Sequence, residues 1–204
     1  MTTTRRGTEE ERREEILRAA YAVAARERLA GVTGRAVAAE AGVSSGLVFF
    51  YFESVDGLLT ALLDWLLART IVAGEVSGLF DAGDPAERMM AVIGRDVERL
   101  PKQRDRVELF FDYWVLGTRH PTVRARIRGA LDRYRDAFLP LARQVVDADP
   151  GRYEGVTPEG LADVAASFVE GCALQVVMDP AGFDVGRSMA TLAALVRRPA
   201  SALV

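Results

Sequence analysis

A chain of 204 residues, half of them hydrophobic and 27% charged, is long enough for one large domain or two small ones and too apolar for disorder by composition. Its formal net charge of −3 and pI of about 5.4 exclude a uniformly basic nucleic-acid coat but leave room for a small DNA-reading patch. One cysteine, Cys172, and one histidine, His120, exclude an internal disulfide, a multi-cysteine zinc site and paired-histidine chemistry.

The opening residues are polar and basic rather than a charged-then-apolar leader. The longest uncharged stretch, Ala41–Phe52, is shorter than the ~18 residues of a membrane span. The expectation is a cytoplasmic protein with no membrane partner, no metal, no cofactor and no catalytic group. Basic residues are all arginine except Lys102.

Helical spacing dominates, and no alternating strand is visible, so an all-α chain of about nine helices is expected. The first helix is expected from about Glu9 to Arg28, with Ile16, Ala20 and Val23 on one stripe and Glu9, Glu10 and Glu11 near its positive start. Thr33 is placed to cap a short helix from Gly34 to Ala41. Gly42 breaks it, and Ser44 caps a third helix to about Phe52. Ser54 caps a fourth, in which Leu59, Leu62, Leu63 and Leu66 recur at three- and four-residue steps.

In the second half, Asp84-Pro85-Ala86-Glu87 reads as a helix start. Met89, Ile93, Val97 and Leu100 follow as its stripe, and Pro101 ends it. Val107, Phe110, Phe111 and Trp114 mark the next helix, closed by Gly117. Pro121 opens a long one carrying Tyr134, Phe138 and Leu141. Pro140 costs ~3 kcal/mol in a helix interior, which predicts a kink or break just before it. Thr157-Pro158 and Asp184 start two last helices, which end near Pro180 and Pro199.

Helix two, Gly42 and helix three have the chemistry of a helix-turn-helix: a small residue at the crossing, Ala38; glycine for the turn; and Val37, Val43 and Val48 as apolar anchors. An ordinary helical hairpin has similar punctuation, and spacing alone leaves both open. The stretch from Thr33 to Leu59, TGRAVAAEAGVSSGLVFFYFESVDGLL, resembles the DNA-binding signature of TetR-family transcriptional regulators. Thr33, Ala38, Ala41, Gly42, Val43, Ser44, Gly46, Tyr51, Phe52, Ser54 and Leu58 carry the match. The chain departs from that pattern at Phe49 and Phe50, in place of the usual tyrosine and histidine, and at Val55, in place of a phosphate-contacting lysine.

The resemblance implies an N-terminal three-helix DNA-binding domain over residues 1–55 and an effector-binding and dimerisation domain over 56–204. It places Ser45, Gly46, Leu47, Phe49 and Phe50 at base edges, and Thr33, Arg35, Ser44 and Tyr51 at or near the backbone, with Arg5 and Arg6 compensating for Val55. Leu47, Phe49 and Phe50 cannot hydrogen-bond a base, so contact with thymine methyl groups is the expected readout. Residues 1–55 hold eight arginines against eight glutamates. Helix four is expected to act as the lever between the domains.

The C-terminal half, ELFFDYWVLGTRHPTVRARIRGALDRYR and later SFVEGCALQVVMDP, is similar to the ligand-binding domain of the betaine-regulator-type subgroup. That likeness implies a homodimer through the last two helices and a small-molecule effector. The stripes Ala162, Ala165, Val169, Ala173, Val176 and Met189, Leu192, Ala193, Val196 are the expected dimer faces. The expected pocket lies among Leu66, Met89, Ile93, Phe110, Trp114, Tyr134, Phe138, Phe168 and Gln175, and its aromatic and methionine content favours an apolar or aromatic ligand. A quaternary ammonium ligand is the alternative, with Asp112, Glu108 or Glu170 supplying charge.

These expectations combine into a repressor released from operator DNA by its effector. The rival reading is a helical binding protein or enzyme that has kept the fold and lost DNA binding. Against an enzyme stands the missing constellation of catalytic residues.

Overall fold

The computed structural model describes residues 3–70 and 83–197, with the side chains of residues 3–8, 70 and 197 outside that description. Among the described residues there are nine α-helices and no strand: α1 Thr3–Gly31, α2 Gly34–Ala41, α3 Ser45–Phe52, α4 Val55–Thr70, α5 Pro85–Arg99, α6 Arg104–Gly117, α7 Pro121–Ala148, α8 Pro158–Met178 and α9 Val185–Arg197. A single 3₁₀ turn, Pro101–Gln103, separates α5 from α6.

The helix starts follow their caps. Thr33 Oγ1 accepts from the Ala36 N–H, Ser44 Oγ from Leu47, Ser54 Oγ from Gly57, Asp84 Oδ1 from Ala86, Thr157 Oγ1 from Gly160 and Asp184 Oδ1 from Arg187. Each satisfies a backbone donor that the first helical turn leaves open.

Two expectations need correction. α1 begins at Thr3, so Glu9, Glu10 and Glu11 sit beyond its first turn, which holds no acid. α7 continues through Pro140, so the break allowed for there does not occur. Tyr134, Phe138, Leu141, Ala142 and Val145 on the same helix are buried in one cluster, and each large apolar side chain so buried contributes about 1.5–3 kcal/mol. That exceeds the local cost of the proline.

The described residues form two compact units, one of 3–70 with 108–128 and one of 83–107 with 129–197. In the first, Ile16, Val23, Val37, Val48, Leu58, Leu62 and Leu66 are fully buried. In the second, α5, α7 and α8 supply Met89, Ile93, Val97, Phe138, Ala165 and Cys172, with half-buried Met189 and Leu192 of α9 packed against them.

Candidate nucleic-acid interface

The α2–α3 pair is held from beneath and capped from the side. Val37 and Val48 have no exposed surface, and Ala38 is 4% exposed. Gly42 adopts φ 66°, ψ 31°, the left-handed conformation that a side chain disfavours. There its N–H donates to the Ala39 carbonyl at 3.3 Å, and the Val43 N–H to Ala38 at 2.9 Å. This closes α2 and turns the chain into the Ser44 cap of α3.

α3 contains no charged and no amide side chain. Gly46 is exposed; Ser45, Leu47 and Tyr51 are half-buried. Phe50 is 71% exposed, and its ring meets Tyr51 edge-on at 5.3 Å. Phe49 differs from its neighbour. Its ring lies so close over Gly34 that a Cβ there would stand 2.4 Å from Cζ. Phe49, expected at base edges, packs α3 against the start of α2 and keeps 40% of its surface exposed.

From Thr33 to Gly57 the charges are Arg35, Glu40, Glu53 and Asp56. Glu40 pairs with Arg26 at 3.1 Å. Arg35 is exposed, with no acidic partner among the described residues. Thr33 and Ser44 are exposed, and each uses its hydroxyl as a cap acceptor. Arg5 and Arg6 have side chains outside the described residues. Arg13, which sequence reasoning missed, is exposed and brings its guanidinium 5.2 Å from the Phe52 ring at the end of α3. Its only sequence signal was membership of the charged stretch of α1.

Helix α4, which follows, is held at several points within the same unit. Trp65 Nε1 donates to Glu14 Oε2 at 2.9 Å, and Arg69 Nη2 to Glu14 Oε1 at 2.8 Å, while the Arg69 guanidinium stacks 4.2 Å over the Trp65 ring. Arg126 donates to both Asp64 carboxylate oxygens, at 2.7 and 2.6 Å. Tyr113 Oη donates to the Leu59 carbonyl at 2.8 Å, and burial pushes this phenol well above its ordinary range. Tyr113 was not a sequence candidate; its hydrogen bond to a helix carbonyl leaves no mark on periodicity.

The residues expected to bind an effector divide between the units. Met89, Ile93, Tyr134 and Phe138 are buried in one cluster of the second unit, with Phe168 half-buried against it. Tyr134 and Phe138 meet edge-on at 5.2 Å. Tyr134 Oη donates to Asp96 Oδ2 at 2.7 Å, and Arg99 approaches Asp96 Oδ1 at 3.1 Å. Burial pushes the Asp96 carboxyl up, with Tyr134 and Arg99 opposing. Leu66, Phe110 and Trp114 belong to the first unit, where Phe110 and Trp114 rings lie 6.0 Å apart. Gln175 is exposed and joins neither group. Cys172 is buried, which pushes its thiol up and away from the reactive thiolate.

Comparison with known proteins accounts for both halves. The family described as bacterial regulatory proteins, tetR family, matches residues 16–62, and the family described as BetI-type transcriptional repressor, C-terminal, matches residues 85–200. This chain belongs to the TetR family of transcriptional regulators.

A BetI HTH-type transcriptional regulator of Stenotrophomonas maltophilia is 28% identical over 130 residues, which cover 63% of this chain and 65% of that relative. Two solved structures have the same fold. One is a transcriptional regulator from Saccharomonospora viridis in complex with choline, at TM-score 0.69 and 21% identity, covering 92% of this chain and 96% of that one. The other is FadR from Bacillus subtilis in complex with stearoyl-CoA, at TM-score 0.70 and 16% identity, covering 90% and 96%.

Of the α8 and α9 stripes named from sequence in this TetR-family chain, Ala162, Ala165, Val169 and Val176 are buried and Ala173 is half-buried. Half-buried Met189, Leu192, Ala193 and Val196 pack against the core of the second unit. A different apolar face is left outside: Val164, Leu174 and Met178 on α8 and Leu195 on α9, at 56, 42, 73 and 57% exposure. By length and composition α8 is apolar enough to cross a membrane, but it carries Asp163 and Glu170 and buries one face in that core.

Proposed function

We propose that this TetR-family regulator binds operator DNA as a homodimer and is a repressor, released when a small molecule binds its C-terminal domain. The observation that carries the reading is α3: the Ser44 side-chain cap, the left-handed Gly42 turn and buried Val48 hold it in place while Phe50 and Gly46 stay exposed. A helix presented in this way suits entry into the major groove. The reading assigns residues 1–55 to DNA and the remainder to effector binding and dimerisation. The exposed faces of α8 and α9 support an isologous contact between copies.

For the effector, the reading favours an apolar or aromatic molecule and centres on Met89, Ile93, Tyr134, Phe138 and Phe168 of the second unit. The choline and stearoyl-CoA found in the two neighbours differ so much that the fold leaves the ligand class open. Whatever the effector, it must favour one dimer state over another, or it shifts nothing. The role proposed is regulation in the cytoplasm rather than turnover, in line with the transcriptional regulators that the chain resembles.

Selection of bound duplexes from a random DNA pool tests the proposal and yields the operator. A recovered consensus with two related half-sites is expected. Failure of the purified protein to retain any duplex at low salt, including the region upstream of its own gene, overturns it.

A further inference from the structure

We infer that Phe50 is the residue that sets base specificity, and that it does so by seating against the 5-methyl group of a thymine in each operator half-site. The inference rests on the DNA-binding reading above and goes further by naming what the recognition helix reads. Bidentate recognition of guanine needs Arg or Lys, and that of adenine needs Asn or Gln. From Ser44 to Phe52 this chain has none of the four. The hydroxyls left are those of Ser44, engaged as a cap, and of half-buried Ser45 and Tyr51.

Exposure and packing together favour one apolar candidate. Leu47 is half-buried, and Phe49, though 40% exposed, packs its ring on Gly34. Phe50 exposes 71% of its surface, and its edge-on contact with Tyr51 restrains the ring. An apolar ring so presented has one distinctive partner in the major groove, the methyl group that thymine alone carries. Guanine and adenine offer that ring N7 with O6 or N6, and cytosine N4 beside a bare C5–H, polar groups that it would desolvate without replacing their hydrogen bonds. Specificity then comes from methyl burial on one side and unpaired polar edges on the other.

The test uses the full-length protein and a duplex recovered by selection. Each thymine of the half-sites is replaced in turn by deoxyuridine, which removes the methyl and nothing else. One position is expected to weaken wild-type binding about fourfold, or about fifteenfold when changed in both half-sites, as burial of one methyl-sized group implies. Phe50→Ala is expected to bind thymine and deoxyuridine duplexes alike, and Phe49→Ala to remain sensitive. A wild type that binds the duplex tightly and ignores every deoxyuridine overturns this inference while leaving DNA binding intact. Methyl sensitivity that disappears with Phe49 instead of Phe50 overturns the assignment to Phe50. Absence of any bound duplex overturns the functional reading itself, so the failures are distinguishable. The deoxyuridine series on the wild type stands even if a variant misfolds.

Discussion

Arg28 donates to Asp112 Oδ1 at 2.7 Å and to Glu108 Oε2 at 3.0 Å while its own backbone sits at φ 62°, ψ −178°. That backbone region is essentially reserved for glycine and costs about 1–3 kcal/mol for any other residue. The same residue thus interrupts α1 and clamps it to α6. Exposed ion pairs contribute roughly 0–1 kcal/mol, and the Arg28 side chain is 46% exposed, so the strain and the clamp are of comparable size.

The two contributions separate by substitution. Arg28→Ala removes the clamp and keeps the strain; Arg28→Gly removes both. We expect Arg28→Gly to unfold at higher denaturant than Arg28→Ala, by about 1–3 kcal/mol, and to lie close to wild type. Equal stability of the two variants would show that the backbone at position 28 relaxes freely.

A second prediction concerns the seat of Phe49. Gly34→Ala forces a Cβ to within 2.4 Å of the Phe49 ring, and overpacking of this kind costs about 1–3 kcal/mol. Alanine is otherwise the better helix residue by about 1 kcal/mol. In a Phe49→Ala background the clash is gone, so Gly34→Ala is expected to stabilise there. A double-mutant cycle by chemical denaturation reads the sign change, and additive effects would remove the packing role assigned to Phe49.

What the sequence made legible was punctuation. Thr33, Ser44, Asp84, Thr157 and Asp184 cap helices because a hydroxyl or carboxylate at those positions meets a nearby backbone N–H whatever the tertiary context. Gly42 was legible for the same reason. Phe49 was not, because Gly34 lies 15 residues away and nothing in the spacing shows that a ring will cover it. Arg28 was unreadable too: its conformation depends on carboxylates 80 and 84 residues along. On α8 and α9 the spacing shows two apolar stripes and leaves open which of them the monomer core takes up.

Titration in the second unit gives a third prediction. Burial raises the carboxyl groups of both Glu170 and Asp96, against opposing charges from Arg135 and from Arg99 and Arg95 respectively. A raised native value means that the folded chain binds more protons than the unfolded chain above the ordinary carboxylate range of about 4. Stability from these groups is present at lower pH and is lost as pH rises through the raised values. Glu170→Gln is therefore expected to be more stable than wild type at pH 7, with the difference shrinking toward pH 4. Parallel stability curves for the two proteins between pH 4 and 7 would contradict it.

Assembly supplies a fourth. Leu195 is 57% exposed, so aspartate at that position leaves the monomer core intact, whereas Leu192 packs on it. Leu195→Asp is expected to yield a folded monomer, with helical content retained and mass halved by light scattering. Leu192→Asp is expected to lose folding as well, because a charge would be buried without a partner. A Leu195→Asp protein that remains dimeric at micromolar concentration places the contact elsewhere.

The last prediction follows from how few cations surround α3. Phosphate neutralisation releases counterions, and the logarithm of affinity falls against the logarithm of salt with a slope of about −0.9 per contact. Val55 stands where a phosphate-contacting lysine is expected, and α3 itself is uncharged. Arg35 is exposed with no acidic partner among the described residues, and Arg13 is exposed beside Phe52. If these two alone act, a dimer has a slope of about −3.6, and each of Arg5 and Arg6 that reaches a phosphate steepens it by about 1.8 per dimer. Arg35→Ala should flatten the wild-type slope by about 1.8 and weaken all duplexes by the same factor, because a phosphate contact positions the protein without reading sequence. Gel-shift titrations of the selected duplex and a scrambled one, from 50 to 200 mM salt, measure both quantities. An unchanged slope in Arg35→Ala would remove this residue from the phosphate contacts, and a loss confined to the selected duplex would make it a base reader.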